Sequence, residues 1–178
     1  MLPAGFMAKR VASKPGWLAA NVLDVYSVSG CISPFFSEYI DLWRHNGYWL
    51  FDSLEVLEQC IAELEAPTDV VTFYYEVHAL EFDGDTQSWS PFAPEPSFET
   101  KVQVPATKNL EGFDVVSFVG RCAPECSPLS CNGLAAKLAV NAHCLMDSFE
   151  AARAALEGGA FRNAEPGPYR IFAIYTVG

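Results

Sequence analysis

"NGYWLFDSLE", Asn46 to Glu55, returns as "NAHCLMDSFE", Asn141 to Glu150, with Asn, Leu, Asp, Ser and Glu in the same register. A motif that recurs in this way points to a duplicated unit, and a missed duplication spoils every later assignment. A second pair precedes it in the same order: "DVYSVSGCISP" from Asp24 and "DVVSFVGRCAP" from Asp114. After each later copy comes a helical pattern and then a strand. Each unit therefore reads strand, connection, strand, helix, strand.

In the first unit the predicted strands are Val22 to Ser29, Gly47 to Phe51 and the β-rich run "VVTFYYEVHALEF" from Val70. Asp52 with Glu55, and Asp147 with Glu150, have the spacing of a capping box, in which a side-chain oxygen accepts an orphan backbone N–H. Leu54, Leu57, Ile61 and Leu64 give the first helix an apolar face. The second helix, Phe149 to Leu156, is alanine-rich and stops at Gly158 and Gly159, which tolerate the left-handed conformation. The closing "EPGPYRIFAIYTVG" is a turn followed by a continuous apolar run that belongs at the centre of a sheet.

These elements predict an α+β fold: two pseudo-symmetric β-x-β-α-β repeats forming one compact unit, with a mixed or antiparallel sheet and helices packed on it. The divisions are an N-terminal extension over 1–21, a first repeat over 22–83, a structured connector over 84–112 and a second repeat over 113–178. The connector holds one alternating strand, "FETKVQV", Phe98 to Val104.

The 178 residues include 22 acidic and 11 basic side chains, a net charge of −11. Such a surface repels phosphate backbones and anionic lipid and attracts basic partners, which argues against nucleic acid and membrane surfaces as ligands. No apolar run approaches the roughly 18 residues of a membrane helix. Lys9, Arg10 and Lys14 precede no apolar core of a leader peptide, so the expected location is the cytoplasm. Six cysteines in a reducing compartment suggest buried thiols, a metal or reactive sulfur rather than disulfides.

If the units began alike, function is to be sought where they diverge. "CISPFFSEYIDLWRH", Cys31 to His45, contrasts with "RCAPECSPLSCNGLAAKLAV", Arg121 to Val140. In the first, Phe35, Phe36, Tyr39, Ile40 and Trp43 suit a short amphipathic helix whose aromatics pack in the core. Trp43, Tyr48 and Trp49 become binding anchors only where exposed. In the second, Cys122, Cys126, Cys131, Cys144 and His143 are the residue types that hold zinc, although their spacing departs from the two-residue knuckle. Cys126 with His143 as its base is the corresponding catalytic candidate. Against both stands the structural reading, in which Pro124, Pro128 and Gly133 shape a loop whose thiols fill gaps. Asp41 with His45, and Glu76 with His78, are further acid–imidazole pairs, each explained by local pairing on one face.

No glycine-rich phosphate loop, Gly-x-Ser-x-Gly elbow or His-Glu-x-x-His helix is present. The expectation is an acidic protein-interaction module, of immunity or inhibitor type, that binds a basic protein. The alternative is a small enzyme or zinc-binding protein using the Cys122 to Cys131 loop with His143.

Overall fold

The computed structural model describes residues 1–11, 13–18, 21–30, 46–63, 70–96, 98–118 and 126–178. In chain order these form β1 (Leu2–Arg10), α1 (Leu54–Glu63), β2 (Val70–Val77), β3 (Leu80–Asp83), β4 (Ser88–Pro91), β5 (Asn109–Ser117), α2 (Pro128–Cys131), a 3₁₀ turn (Leu134–Ala136), α3 (Phe149–Glu157) and β6 (Tyr169–Thr176). The fold is α+β, built on a six-stranded sheet whose strand pairs are all antiparallel.

The apolar run of the closing segment places β6 at the centre, as its composition predicts. β5 pairs with β6 from Asn109 to Ser117, and β2 and β3 lie end to end along the opposite edge. β1 and β4 then extend the sheet beyond β2 and β3 respectively. One row runs across four strands: Gly5 opposite Tyr75, Tyr75 opposite Ile174, and Ile174 opposite Gly112.

Both glycines sit at register shifts, with φ of +134° at Gly5 and +149° at Gly112. A Cβ on Gly5 would lie 2.6 Å from the Phe51 carbonyl oxygen, and one on Gly112 2.7 Å from the Leu145 Cβ. Glycine is required there because a turn crosses close against each strand. In the first turn the Asn46 amide donates to the Ala4 carbonyl while its oxygen accepts from the backbone N–H of Tyr48 and Leu50. In the second, Asn141 donates to the Glu111 carbonyl and accepts from His143 and Leu145. Trp49 and Cys144 take matching positive φ values of 60° and 63°.

Each turn leads into a helix capped by serine. Ser53 Oγ accepts from Val56 N–H and Ser148 Oγ from Ala151 N–H. The expected caps, Asp52 and Asp147, are one position early. Asp52 instead accepts from the Thr100 hydroxyl and the Lys101 N–H, which ties the 98–104 strap to the start of α1. The strand expected over 98–104 is therefore absent: none of these described residues pairs in the sheet.

Two further expectations are corrected. Val22 to Ser29 is not a strand and carries one isolated bridge, Ser13 with Asp24; backbone bonds from Leu23, Asp24 and Tyr26 run instead to the Ala142 and His143 carbonyls. Gly47 to Phe51 likewise contributes only the bridge between Phe51 and Phe6. Leu2–Arg10, within the stretch read as an N-terminal extension, forms β1 with six consecutive buried residues.

Alternation along the strands sorts side chains onto two faces. α1 packs beside Phe6, and α3 beside Phe113, on the same face, with Ala152 and Leu156 buried in the core. The opposite face is covered by irregular chain: Tyr26 contacts Phe73, Tyr48 contacts Phe172, and Phe92 and Phe118 sandwich the Arg170 guanidinium at 3.0 and 3.8 Å. Irregular backbone brings unpaired carbonyls to a core, which explains why this face buries charges.

Candidate functional site

Lys9, Asp114 and Arg170 are each fully buried. The Lys9 ammonium donates to the Ser27 and Ser29 carbonyls, while Asp114 accepts from Ser27 Oγ at 2.7 Å and Ser127 Oγ at 2.6 Å. Burial pushes the Asp114 carboxyl up to about 6, against the pull of both serines and Lys9. Arg170 donates to Glu81 at 3.0 Å. With no solvent access these groups are structural: they clamp the 27–29 segment and the start of α2 to the sheet.

A more accessible cluster forms where the two asparagine turns differ. Two residues after Asn46 stands Tyr48, buried against Phe92 and Phe172. Two residues after Asn141 stands His143, whose Nδ1 lies 2.5 Å from Asp24 and whose Nε2 lies 3.8 Å from Glu111. Tyr26 stacks on the imidazole with ring centroids 4.1 Å apart. Burial, then the Asp24 and Glu111 carboxylates, raises the Tyr26 phenol above its ordinary range. The arrangement orients an imidazole between two carboxylates in a partly exposed position.

Three of the cysteine candidates, Cys126, Cys131 and Cys144, lie among the described residues. Cys144 points into the core, 1% exposed, and burial pushes its thiol up to about 12. His143 turns the other way, toward Asp24, with Cys144 in the left-handed backbone region at a φ of 63°. Cys126 Sγ donates to the side-chain oxygen of Asn132 at 3.6 Å, and Cys126 and Cys131 are both part-exposed. Cys122 lies outside the described residues. Among the described residues no group of three or more His, Cys, Asp or Glu side chains is placed to hold a metal ion.

Of the aromatic candidates, Tyr48 is buried, Trp49 is half-buried and Trp43 lies outside the described residues, as do Cys31, the segment Phe35 to Trp43, Asp41 and His45. Glu76 and His78 are separated by their partners. Glu76 bonds Lys108 and the Tyr175 hydroxyl, whereas His78 sits against Trp89 and Phe149, where burial lowers its imidazole pKa.

A cleft of about 370 Å³ opens between the β3–β4 hairpin and the chain after α3. Glu81, Asp83, Asp85 and Glu165 line it with Arg162, over Phe82, Phe161 and Tyr169. Asp83 accepts from the Asp85 and Thr86 N–H groups, which shapes the hairpin turn, and Asn132 donates to Glu165 at 3.1 Å. Glu81 is engaged by Arg170, and Arg162 adds a basic side chain to the lining beside Asp83, Asp85 and Glu165. Sequence reasoning missed this cleft because its two walls lie far apart in the chain.

Compared with models of known protein families, with curated proteins and with solved structures, the chain matches none of them.

Proposed function

We propose that the protein is an acidic interaction module that engages a basic protein, in the manner of an immunity or inhibitor protein that blocks a basic enzyme. The observation that carries this reading is the cleft lined by Glu81, Asp83, Asp85 and Glu165 in a chain of net charge −11. Carboxylates at the mouth of a concave, aromatic-floored opening favour a lysine or arginine side chain and steer its approach. Nucleic acid and anionic membrane are disfavoured by the same charge, and among the described residues no helix is long and apolar enough to cross a membrane. Cytoplasmic residence is part of the proposal, supported by the free thiols of Cys60 and Cys144.

Origin by duplication belongs to this reading too. It is supported by the matched glycine shifts, asparagine turns and serine caps, with units drawn around β1–β2 and β5–β6 rather than from Asp24 and Asp114. Asp114 lies in β5 and Asp24 in the irregular segment, so that sequence match does not join equivalent places in the sheet.

The test is association kinetics with a basic protein captured at low salt, comparing wild type with Asp83→Lys/Asp85→Lys/Glu165→Lys. The reversed cleft should slow association by roughly tenfold or more at low ionic strength, with the rates converging as salt screens the surface. Equal rates at low salt would overturn the electrostatic reading.

The second reading, a small enzyme, is favoured by one observation: Asp24 orients His143 in a part-exposed position, as a general base requires. It assigns any reactive sulfur to Cys126 rather than Cys144. In the native protein Cys126 should be alkylated at least about a hundredfold faster than Cys144, since the thiolate is the reacting form. Peptide-resolved mass spectrometry measures both. Complete labelling of Cys126 with every activity retained removes the sulfur from this reading.

A further inference from the structure

The side of the sheet that carries α1 and α3 also holds a cation site. Tyr74, Glu76 and Tyr175 share that face, with Tyr74 directly opposite Tyr175. The Lys108 ammonium pairs with the Glu76 carboxylate and lies 4.9 Å from the Tyr74 ring centroid and 4.3 Å from that of Tyr175. Tyr175 donates to the second carboxylate oxygen of Glu76 at 3.0 Å. A carboxylate between two aromatic faces is the chemistry that receives an ammonium group. The site opens on the Lys108 side, where that side chain is 26% exposed and Glu76 15%, while Tyr74 forms its fully buried wall.

Beside it lies a groove of about 430 Å³. Thr72 and Val177, which help to line the groove, precede Tyr74 and follow Tyr175 by two residues, so they share the cage's face of the sheet. Thr107, which also lines the groove, is the chain neighbour of Lys108, Phe6 lies 5.0 Å from Tyr74 between ring centroids, and Glu58 of α1 adds a carboxylate to the groove. Floor and cage thus lie next to each other on one face of the sheet, with the cage's cation supplied from within the chain.

We propose that the Tyr74, Glu76 and Tyr175 cage is a receptor for a lysine side chain of a partner, that the adjoining groove takes the partner's backbone, and that Lys108 occupies the cage until it is displaced. The inference takes its ligand class from the reading of a basic partner but uses a different surface from the Asp83, Asp85 and Glu165 cleft. Lys108 acts as an internal competitor: the apparent affinity for an external ammonium is reduced by the fraction of molecules in which Lys108 fills the cage. Tyrosine hydroxyls here stay protonated at neutral pH, since burial first and the Glu76 carboxylate next push Tyr175 up to about 12.

The experiment is an NMR titration of full-length protein carrying ring-labelled tyrosine with N-acetyl-lysine methylamide. Lys108→Met, which keeps the stem and removes the charge, should bind at least about tenfold more tightly than wild type, with saturable shifts at Tyr74 and Tyr175. Adding Glu76→Gln should abolish those shifts, and the Nε-acetylated probe should give none. In wild type, excess probe should move the Lys108 side-chain signals as the cage exchanges occupants, a readout that does not depend on how any variant folds. Failure of wild-type Lys108 to respond, or equal affinity in Lys108→Met and the double variant, overturns the proposal. Because the probe is a small molecule, its binding is read independently of the charge-reversed cleft, so either idea can fail alone.

Discussion

Asp114→Ala should destabilise the fold by about 3–5 kcal/mol, because two buried serine hydroxyls lose a charged acceptor at once. Asp114 is fully buried and accepts from two serine hydroxyls on different segments, one before the sheet's fifth strand and one at the start of α2. Its removal leaves the hydroxyls of Ser27 and Ser127 without their acceptor and strips a carboxylate from the field around buried Lys9. Each orphaned polar group adds its desolvation penalty. The measurement is denaturant unfolding at pH 7.5, above the carboxyl's titration near 6, so that the ionised form is compared. Asp114→Asn, which retains an acceptor, should cost less than the alanine variant. A loss below about 1 kcal/mol for alanine would mean that the network contributes little.

Asn46→Ala should be comparably severe, at about 3–5 kcal/mol, because three backbone partners lose their bonds in a site closed to water. The asparagine is 1% exposed, and it ties the Ala4 carbonyl of β1 to the N–H groups of Tyr48 and Leu50. Asn141 makes the corresponding three bonds but is only part-buried. Water can replace some of its partners, so Asn141→Ala should cost about 2–3 kcal/mol. Parallel urea titrations of the two variants decide it. A larger loss at Asn141 than at Asn46 would show that burial does not govern these turns.

The parts of the fold that were legible are those whose bonds close within a few residues. The Asn46 and Asn141 stretches stood out because the asparagine oxygen reaches N–H groups two and four residues ahead, which requires particular residues at particular spacings. The capping assignment was one residue early because aspartate and serine both serve as caps, and only the 98–104 strap reveals that Asp52 is occupied elsewhere. β6 was legible as central from its apolar run.

β1 was not legible. Gly5, Lys9 and Arg10 break the pattern of a strand, and Lys9 reads as a surface charge until the irregular 27–29 segment is placed over it. Val22 to Ser29 erred in the opposite direction, since its valines satisfy β propensity but its backbone meets the 142–143 turn in place of a strand partner. The Asp24, Glu111 and His143 cluster carried no local spacing signal, and neither did the cation cage, whose lysine comes from the connector and whose carboxylate and tyrosines come from β2 and β6.

The sequence alone determined the α+β class, the two helices after the Asn46 and Asn141 motifs, the central closing strand and the acidic character, because propensity, hydrogen bonding over a few residues and net charge are local or additive. Only the tertiary structure decided which carboxylate meets Lys108, which serines hold Asp114 and where Asp83, Asp85 and Glu165 converge. Those pairings depend on chain segments brought together by burial of apolar surface, which is non-directional; desolvation of the charges then makes close partners necessary at the places where they meet.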